Sequence, residues 1–316
     1  MKVLIPPGKS GNVLATIAIG DQYLDPFMKY AYHTWEMYCH RHDLGLILFD
    51  DDLISKDHPK WKKATWQKYL IGDVLSKSGL KIKNVCYLDT DILVSPIAPN
   101  IFDHHDSSRI GVISQRFRLP IAHSDLCRRL AFLRNKFYSN DYPLDSSLFI
   151  SLTDLFASIG AKPQDDYACA GVIVFNLENH KTLFAEFYSQ FDKSVFSPTS
   201  GGDQTHFNHF VQSNNLQQWF DYKFQALWTY EVAWKYPFLY SEYRDDISLI
   251  KFCIEASLFS NYFIHFAGSW YESDMWEQVK VLDTPESLVM FKAFNEYMEM
   301  PVYGKPLGPI KPKDNS

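Results

Sequence analysis

Two aspartates one residue apart, Asp89 and Asp91, stand directly behind an apolar run in the segment Cys86-Tyr-Leu-Asp-Thr-Asp-Ile-Leu-Val94. Hard carboxylate oxygens in that arrangement suit Mg²⁺ or Mn²⁺, ions that take one or two protein carboxylates and complete their shell with substrate phosphates. In an open α/β sheet, ligands bind beyond the carboxyl ends of the strands. An Asp pair after a strand is also a common turn former; the apolar runs on both sides make this one a candidate site. A second acidic triplet, Asp50-Asp51-Asp52, also follows an apolar strand but has no apolar run behind it, and reads as a solvated turn.

Three later stretches supply partners. The run Ala168-Cys-Ala-Gly-Val-Ile-Val-Phe-Asn176 sets a small-residue turn before a strand, where backbone can approach a ligand closely. Gly201-Gly-Asp-Gln-Thr-His-Phe-Asn208 offers Asp203 and Gln204 at a helix start. Phe263-Ile-His-Phe-Ala-Gly-Ser-Trp270 carries His265, whose imidazole can complete a metal shell, and Gly268, whose N–H can meet a phosphate oxygen. Each alone is more often a cap, a core histidine or a turn glycine; their order together is the informative feature. Other matches fail. Gly8-Lys9-Ser10 resembles the end of a phosphate loop, but Val3 stands where that motif needs glycine. The pairs His104-His105 and His206/His209 lack a HExxH arrangement, and no GxSxG elbow is present.

The elements that must hold these residues follow from periodicity. Residues 13–19, 44–49 and 84–88 read as strands, and apolar residues at helical spacing predict helices over 26–42, with Pro26 in the first turn, and 66–75. This β–α–β–α–β order predicts a mostly parallel sheet with helices on both faces. Residues 109–114 and 171–175 add strands. Between them, residues 115–167 form a partly helical insertion bearing Arg116, Arg118, Arg128, Arg129, Arg134 and Lys136, read as a solvated face that could also receive an acceptor. The Pro-, Gly- and Lys-rich tail, 301–316, reads as irregular.

The chain has 316 residues, 22% charged and 16% aromatic, with a formal charge of −6. That charge argues against a general nucleic-acid binder, and the aromatic content argues against disorder. Five widely spaced cysteines with no CxxC pair read as reduced thiols of a cytoplasmic protein rather than a disulfide or zinc framework. Neither a secretory signal nor a transmembrane run is expected. The aromatic cluster over 228–240, with Trp228 and Trp234, and Trp270 further on, marks places where a sugar could stack.

Taken in order, these motifs resemble the GT-A nucleotide-sugar glycosyltransferases, and most closely glycosyltransferase family 8, the glycogenin and bacterial galactosyltransferase type. The resemblance covers residues 13–270 and is strongest over 87–94. It implies a GT-A (Rossmann-like) α/β catalytic domain over 1–270, with 115–167 inserted, followed by a C-terminal helix and tail over 271–316. It implies Asp89, Asp91 and His265 as ligands of Mn²⁺ or Mg²⁺, and Tyr23 as the aromatic stacked on the nucleotide base, with Thr16 in the corresponding strand. Lys68 corresponds to a basic residue near the donor sugar or phosphates, Asp203 and Gln204 face the donor sugar, and Gly268, with Trp270 beside it, contacts the diphosphate. Three positions depart from the family pattern: Cys169 replaces an asparagine, Thr205 an aspartate, and Tyr271 a lysine.

The activity implied is transfer of a sugar from a nucleoside-diphosphate sugar, UDP-sugars favoured, to a saccharide, lipid-linked or protein acceptor, with retention of configuration. An inverting enzyme needs a carboxylate base, for which Asp165, Asp166 and Asp203 are candidates. A sugar-phosphate nucleotidyltransferase would carry a glycine-rich, Arg-containing loop after the first strand, which Ile19-Gly-Asp-Gln-Tyr23 does not supply. A non-catalytic sugar- or partner-binding protein is the third reading, kept open by Cys169 and Tyr271. The expected location is cytoplasmic, with peripheral attachment to a membrane as a variant.

Overall fold

The computed structural model describes residues 1–137, 147–192, 202–268 and 270–299. The strands, in chain order, are β1 (Lys2–Ile5), β2 (Asn12–Ile17), β3 (Gly45–Phe49), β4 (Asn84–Leu88), β5 (Ile92–Val94), β6 (Ile110–Ser114), β7 (Ala168–Asn176), β8 (Gln217–Phe220), β9 (Ala226–Leu227) and β10 (Phe263–His265). Seven form one sheet in the order β1-β3-β2-β4-β7-β6-β8, and β5, β10 and β9 form a second, smaller one.

Every residue of β2, β3 and β7 is buried, as expected for strands covered on both faces. Alternation then divides the side chains between two cores. Leu14, Leu46, Leu48, Leu88 and Val172 face the side closed by Trp35 and the small sheet. Val13, Ala15, Ile47, Val85 and Ile173 face Trp66, Tyr69, Phe184 and Phe207 on the other. Much of the aromatic excess belongs to these cores. Trp228, a candidate stacking residue, is fully buried and donates to Met275 Sδ at 3.4 Å, so it offers no ring to a ligand.

The α/β architecture matches the sequence expectation, but the large sheet is mixed. Three of its six pairings are parallel and three antiparallel. β2, β3 and β4 are the parallel group; β7 returns from the insertion and lies antiparallel between β4 and β6. No local feature of an all-apolar strand fixes its direction.

Two helices also differ from the periodicity. The first begins at Asp21 (Asp21–Pro26), so Pro26 lies inside it, followed by a π-turn at Phe27–Ala31 and the helix Tyr32–His42. Proline has no N–H for the preceding turn, and a wide turn accommodates that gap. The helix expected over 66–75 is three pieces, Ala64–Gln67, the 3₁₀ turn Lys68–Leu70 and Ile71–Ser76.

The insertion carries the helix His123–Phe137. It is not simply a solvated face. Arg134 is 1% exposed and pairs at 3.0 Å with Glu272, itself fully buried, while Arg116 is buried and donates to the Ile150 carbonyl at 2.6 Å. Residues 138–146 of the insertion and the tail over 301–316 lie outside the described residues. Among the described residues no helix is long and apolar enough to cross a membrane.

Removing one member of a buried ion pair leaves an uncompensated charge, whereas replacing both with apolar groups is often neutral. Arg134→Ala is therefore expected to destabilise the fold by about 3–5 kcal/mol in urea unfolding. Arg134→Met with Glu272→Leu should recover most of that loss, and a double variant as unstable as the single one would show that the pair itself is required.

Candidate active site

The chain leaves the large sheet at Leu88, crosses Asp89-Thr90-Asp91 and enters the small sheet at Ile92. Two strand pairings fix that crossing. β7 runs along β4 with Val172 opposite Leu88, and the Asp89 N–H continues the ladder by donating to the Gly171 carbonyl at 2.9 Å. β10 runs antiparallel to β5 with His265 opposite Ile92, and the Phe266 N–H donates to the Asp91 carbonyl at 3.0 Å. His265 Nε2 thereby lies 3.2 Å from Asp91 Oδ1 and 3.7 Å from Asp89 Oδ2. One ligand atom from each of the three residues falls within 4.8 Å of the others.

Gly171 makes this approach possible. A Cβ there would sit 2.3 Å from His265 Cε1 and 2.8 Å from Asp89 Oδ2. Sequence reading marked this glycine for close approach to a ligand; it lies within a strand rather than a turn, and what approaches it is the imidazole and the carboxylate. Behind the ring, buried Gln225 lies 3.0 Å from His265 Nδ1. With its amide turned to accept from Nδ1–H, Gln225 also donates to the Cys169 carbonyl and accepts from the Val172 N–H, both at 3.2 Å. In the neutral ring the remaining proton would then sit on Nδ1 and leave the Nε2 lone pair toward the aspartates, as metal-ligating histidines are commonly held.

The charges agree with a cation site. Burial alone would lower the His265 pKa, but Asp91 and Cys169 outweigh it and hold the imidazole well above its usual value. Burial pushes the Asp89 carboxyl up, Lys68 opposes this and Asp91 adds to it. Asp91 Oδ1 is buried and accepts no well-aligned hydrogen bond. An acceptor left in that condition is costly, and two hard oxygens beside an imidazole nitrogen suit Mg²⁺ or Mn²⁺.

The aspartates form the floor of a cleft of about 570 Å³. Tyr23, 53% exposed, and Gly268 stand on its walls. Gly268 has φ +105°, and a Cβ there would meet the Trp270 indole at 2.7 Å. Trp270 itself does not line the cleft; it packs under the Arg134 guanidinium, 3.9 Å from the ring centroid. Thr16 does not reach the cleft either. It is fully buried and donates to the Leu88 carbonyl at 2.7 Å, which pins the end of β4.

Lys68, Asp203 and Gln204 come together behind the cleft rather than on its surface. Lys68 Nζ lies 2.9 Å from Asp203 Oδ2 and donates to the Ala170 carbonyl at 2.9 Å. Tyr69 Oη donates to the same aspartate oxygen at 2.8 Å, and Gln204 Oε1 accepts from the Ala170 N–H at 3.2 Å. Burial would lower the Lys68 pKa, but Asp203 and then Asp89 outweigh it, so the ammonium is held above its usual range. Asp166 is tied to Ser114 Oγ and the Tyr167 N–H, both at 2.8 Å, and neither it nor Asp165 lines the cleft.

Other cleft residues were not singled out by the sequence. Asp52, read as part of a solvated turn, lines the cleft and accepts from Trp61 Nε1 at 3.0 Å. The signal was present: β3 runs parallel to β2 and β4, so its carboxyl end opens on the same edge. Lys56 and Lys63 line the same region. Ser273, Asp274, Trp276 and Glu277 line it from beyond residue 270, so the cleft extends past the boundary expected there.

No protein-family model matches the chain, and no curated protein matches it. Among solved structures it is similar to a glycosyltransferase involved in the glycosylation of the major capsid of PBCV-1, at 10% identity over 85% of this chain and 99% of that one, with a TM-score of 0.48. It is also similar to the galactosyltransferase LgtC in complex with donor and acceptor sugar analogs, at 12% identity over 92% and 97% of the two chains, TM-score 0.42. The glycosyltransferase GlyE of Streptococcus pneumoniae TIGR4 is 12% identical over 92% and 60%, TM-score 0.39. Likenesses this distant carry no functional argument of their own.

Titration with Mn²⁺, followed by calorimetry, is expected to give one site. Gln225→Leu should weaken it by about 10–100-fold and His265→Ala by more. Because the proton on His265 must leave for Nε2 to ligate, affinity should fall as pH falls. Unchanged affinity in His265→Ala would remove the imidazole from the site.

Proposed function

We propose that this chain is a metal-dependent glycosyltransferase. It moves a sugar from a nucleoside-diphosphate sugar, with a UDP-sugar as the favoured donor, to a saccharide, lipid-linked or protein acceptor, with retention of configuration. The observation that carries this reading is the convergence of buried His265 with Asp89 and Asp91, which line the floor of a cleft large enough for a nucleotide sugar. Five free cysteines favour a reducing compartment, and we place the enzyme in the cytoplasm.

Asp89, Asp91 and His265 would hold Mn²⁺ or Mg²⁺. When bound, the ion supplies Lewis-acid neutralisation of the diphosphate leaving group. The rest of the work falls to the protein. Tyr23 presents an exposed ring for the base. Lys56 and Lys63 add positive charge on the cleft wall, in the role that Tyr271 cannot fill. Gly268 leaves its backbone open to a phosphate oxygen. Behind them Lys68, charged at neutral pH, holds Asp203 and Gln204 against β7, close to where an oxocarbenium-like centre would form. With Asp203 engaged by Lys68 and Tyr69, and Asp165 and Asp166 away from the cleft, none of the three sequence candidates is placed to serve as a base, which favours retention. An inverting reaction would assign the base to Asp274 or Glu277.

Incubation with a panel of nucleotide sugars and Mn²⁺ should release the nucleoside diphosphate. Asp89→Ala and Asp91→Ala are each expected to lower turnover by about 10²-fold or more, in line with losing a group that stabilises developing charge, with folding retained. Asp274→Asn combined with Glu277→Gln should leave turnover within a few-fold. The absence of both release and a thermal shift with every nucleotide would overturn the assignment, and collapse of turnover in the double variant would point to inversion.

A further inference from the structure

A second cavity of about 230 Å³ shares no residue with the donor cleft. Its walls come from four parts of the chain: the turn 119–121 ahead of the insertion helix, Tyr222, the helix Trp228–Lys235, and Ser260 with Asn261 just before β10. Its chemistry is uneven. Leu119 and Ile121 supply apolar surface, Trp234 an indole that stays 40% exposed, and Tyr222 a second aromatic wall. Among these sits Glu231, whose side chain is 6% exposed.

That carboxylate is built in rather than stranded. Its Oε2 accepts from Lys235 Nζ at 2.5 Å, Asn261 Nδ2 at 3.0 Å and Ser257 Oγ at 3.2 Å. No donor among the described residues reaches Oε1. Oε1 is open to solvent rather than buried without a partner, so on the cavity wall it can accept from a ligand hydroxyl in place of water.

Charge narrows the ligand. Lys235 already neutralises Glu231, and the Arg129 guanidinium lies over Trp234, 4.1 Å from the ring centroid, so the local balance is positive. A cationic ligand is therefore disfavoured. Trp234 stays 40% exposed despite the guanidinium, so part of its indole is open to contact. A neutral group with hydroxyl donors and an apolar C–H face matches a bare carboxylate oxygen beside an aromatic plane.

We infer that this cavity is a saccharide-binding site, sized for a single sugar unit and separate from the donor cleft. It would hold a glycan residue away from the position of transfer. Its occupancy does not depend on the metal or on the donor, so it can be tested whether or not the catalytic reading holds.

The test is saturation-transfer NMR on the full chain with the methyl glycosides of glucose, galactose, mannose and N-acetylglucosamine, with Trp fluorescence titration for the strongest. At least one glycoside should bind with EDTA present. Trp234→Ala, at an exposed position, should keep the melting temperature and weaken binding by about tenfold, as loss of a stacking platform predicts. Glu231→Gln keeps the size of the group and should also weaken it, while Asp91→Ala should leave it unchanged. Absence of binding by all four glycosides, equal binding in Trp234→Ala, or loss of binding in Asp91→Ala would each overturn the site. Nucleotide and Mn²⁺ titrations of the same variants report on the donor cleft separately.

Discussion

Everything at the cleft floor depends on a chain crossing between two sheets. Between Leu88 and Ile92 the backbone passes from the large sheet to the small one, and three residues span the gap. Such a crossing has few ways to satisfy its backbone groups. Here the Asp89 N–H goes to β7 and the Asp91 carbonyl goes to the residue after β10. Those two bonds anchor the crossing at both ends, and the β10 bond brings His265 against the aspartates. The tolerance is small, because the imidazole fills the space a methyl group at 171 would take. An interior packed this closely admits only a few arrangements of its side chains.

The same crowding sets the electrostatics. Lys68 is tied to Asp203 on one side and on the other opposes the burial that pushes the Asp89 carboxyl up, so one buried ammonium touches both the supporting layer and the aspartate pair. Asp91 has no such counter-charge on its Oδ1, and His265 answers by holding a proton more tightly than usual. A divalent ion held by the three residues would have to displace that proton. The cleft is lined by five acidic side chains, Asp52, Asp89, Asp91, Asp274 and Glu277, against two basic ones, Lys56 and Lys63, a surface that attracts cations.

How much of this could be read from the chain depends on how local each signal is. Asp89, Asp91 and His265 were legible because each stands at the end of an apolar run, and strand ends are where an α/β sheet presents its ligands. Thr16 was misplaced because its strand was right but its face was not; a one-residue change of face separates a cleft wall from the core. Asp52 was passed over for want of an apolar run behind it, although parallel strands put the carboxyl ends of β3 and β4 on one edge. Gln225 had no local signature at all, since its partner is 40 residues away and nothing in Phe224-Gln225-Ala226 marks it. Pro26 misled for the opposite reason: its usual place in a first turn is a strong local preference, and a π-turn overrode it.

The insertion helix is tied to the cleft through Arg134. Arg134 leaves the helix His123–Phe137 to pair with Glu272 and to stack on Trp270, and Trp270 packs against the glycine whose backbone faces the cleft. Ser273, next to Glu272, holds the Ala267 carbonyl at 2.9 Å and lines the same cleft. A buried ion pair is weak support for stability, since apolar side chains of similar volume often do as well. Its geometric demand is stronger, because a guanidinium must meet both a carboxylate plane and an indole plane. The pair is therefore best understood as fixing where the turn at Gly268 stands relative to the insertion helix.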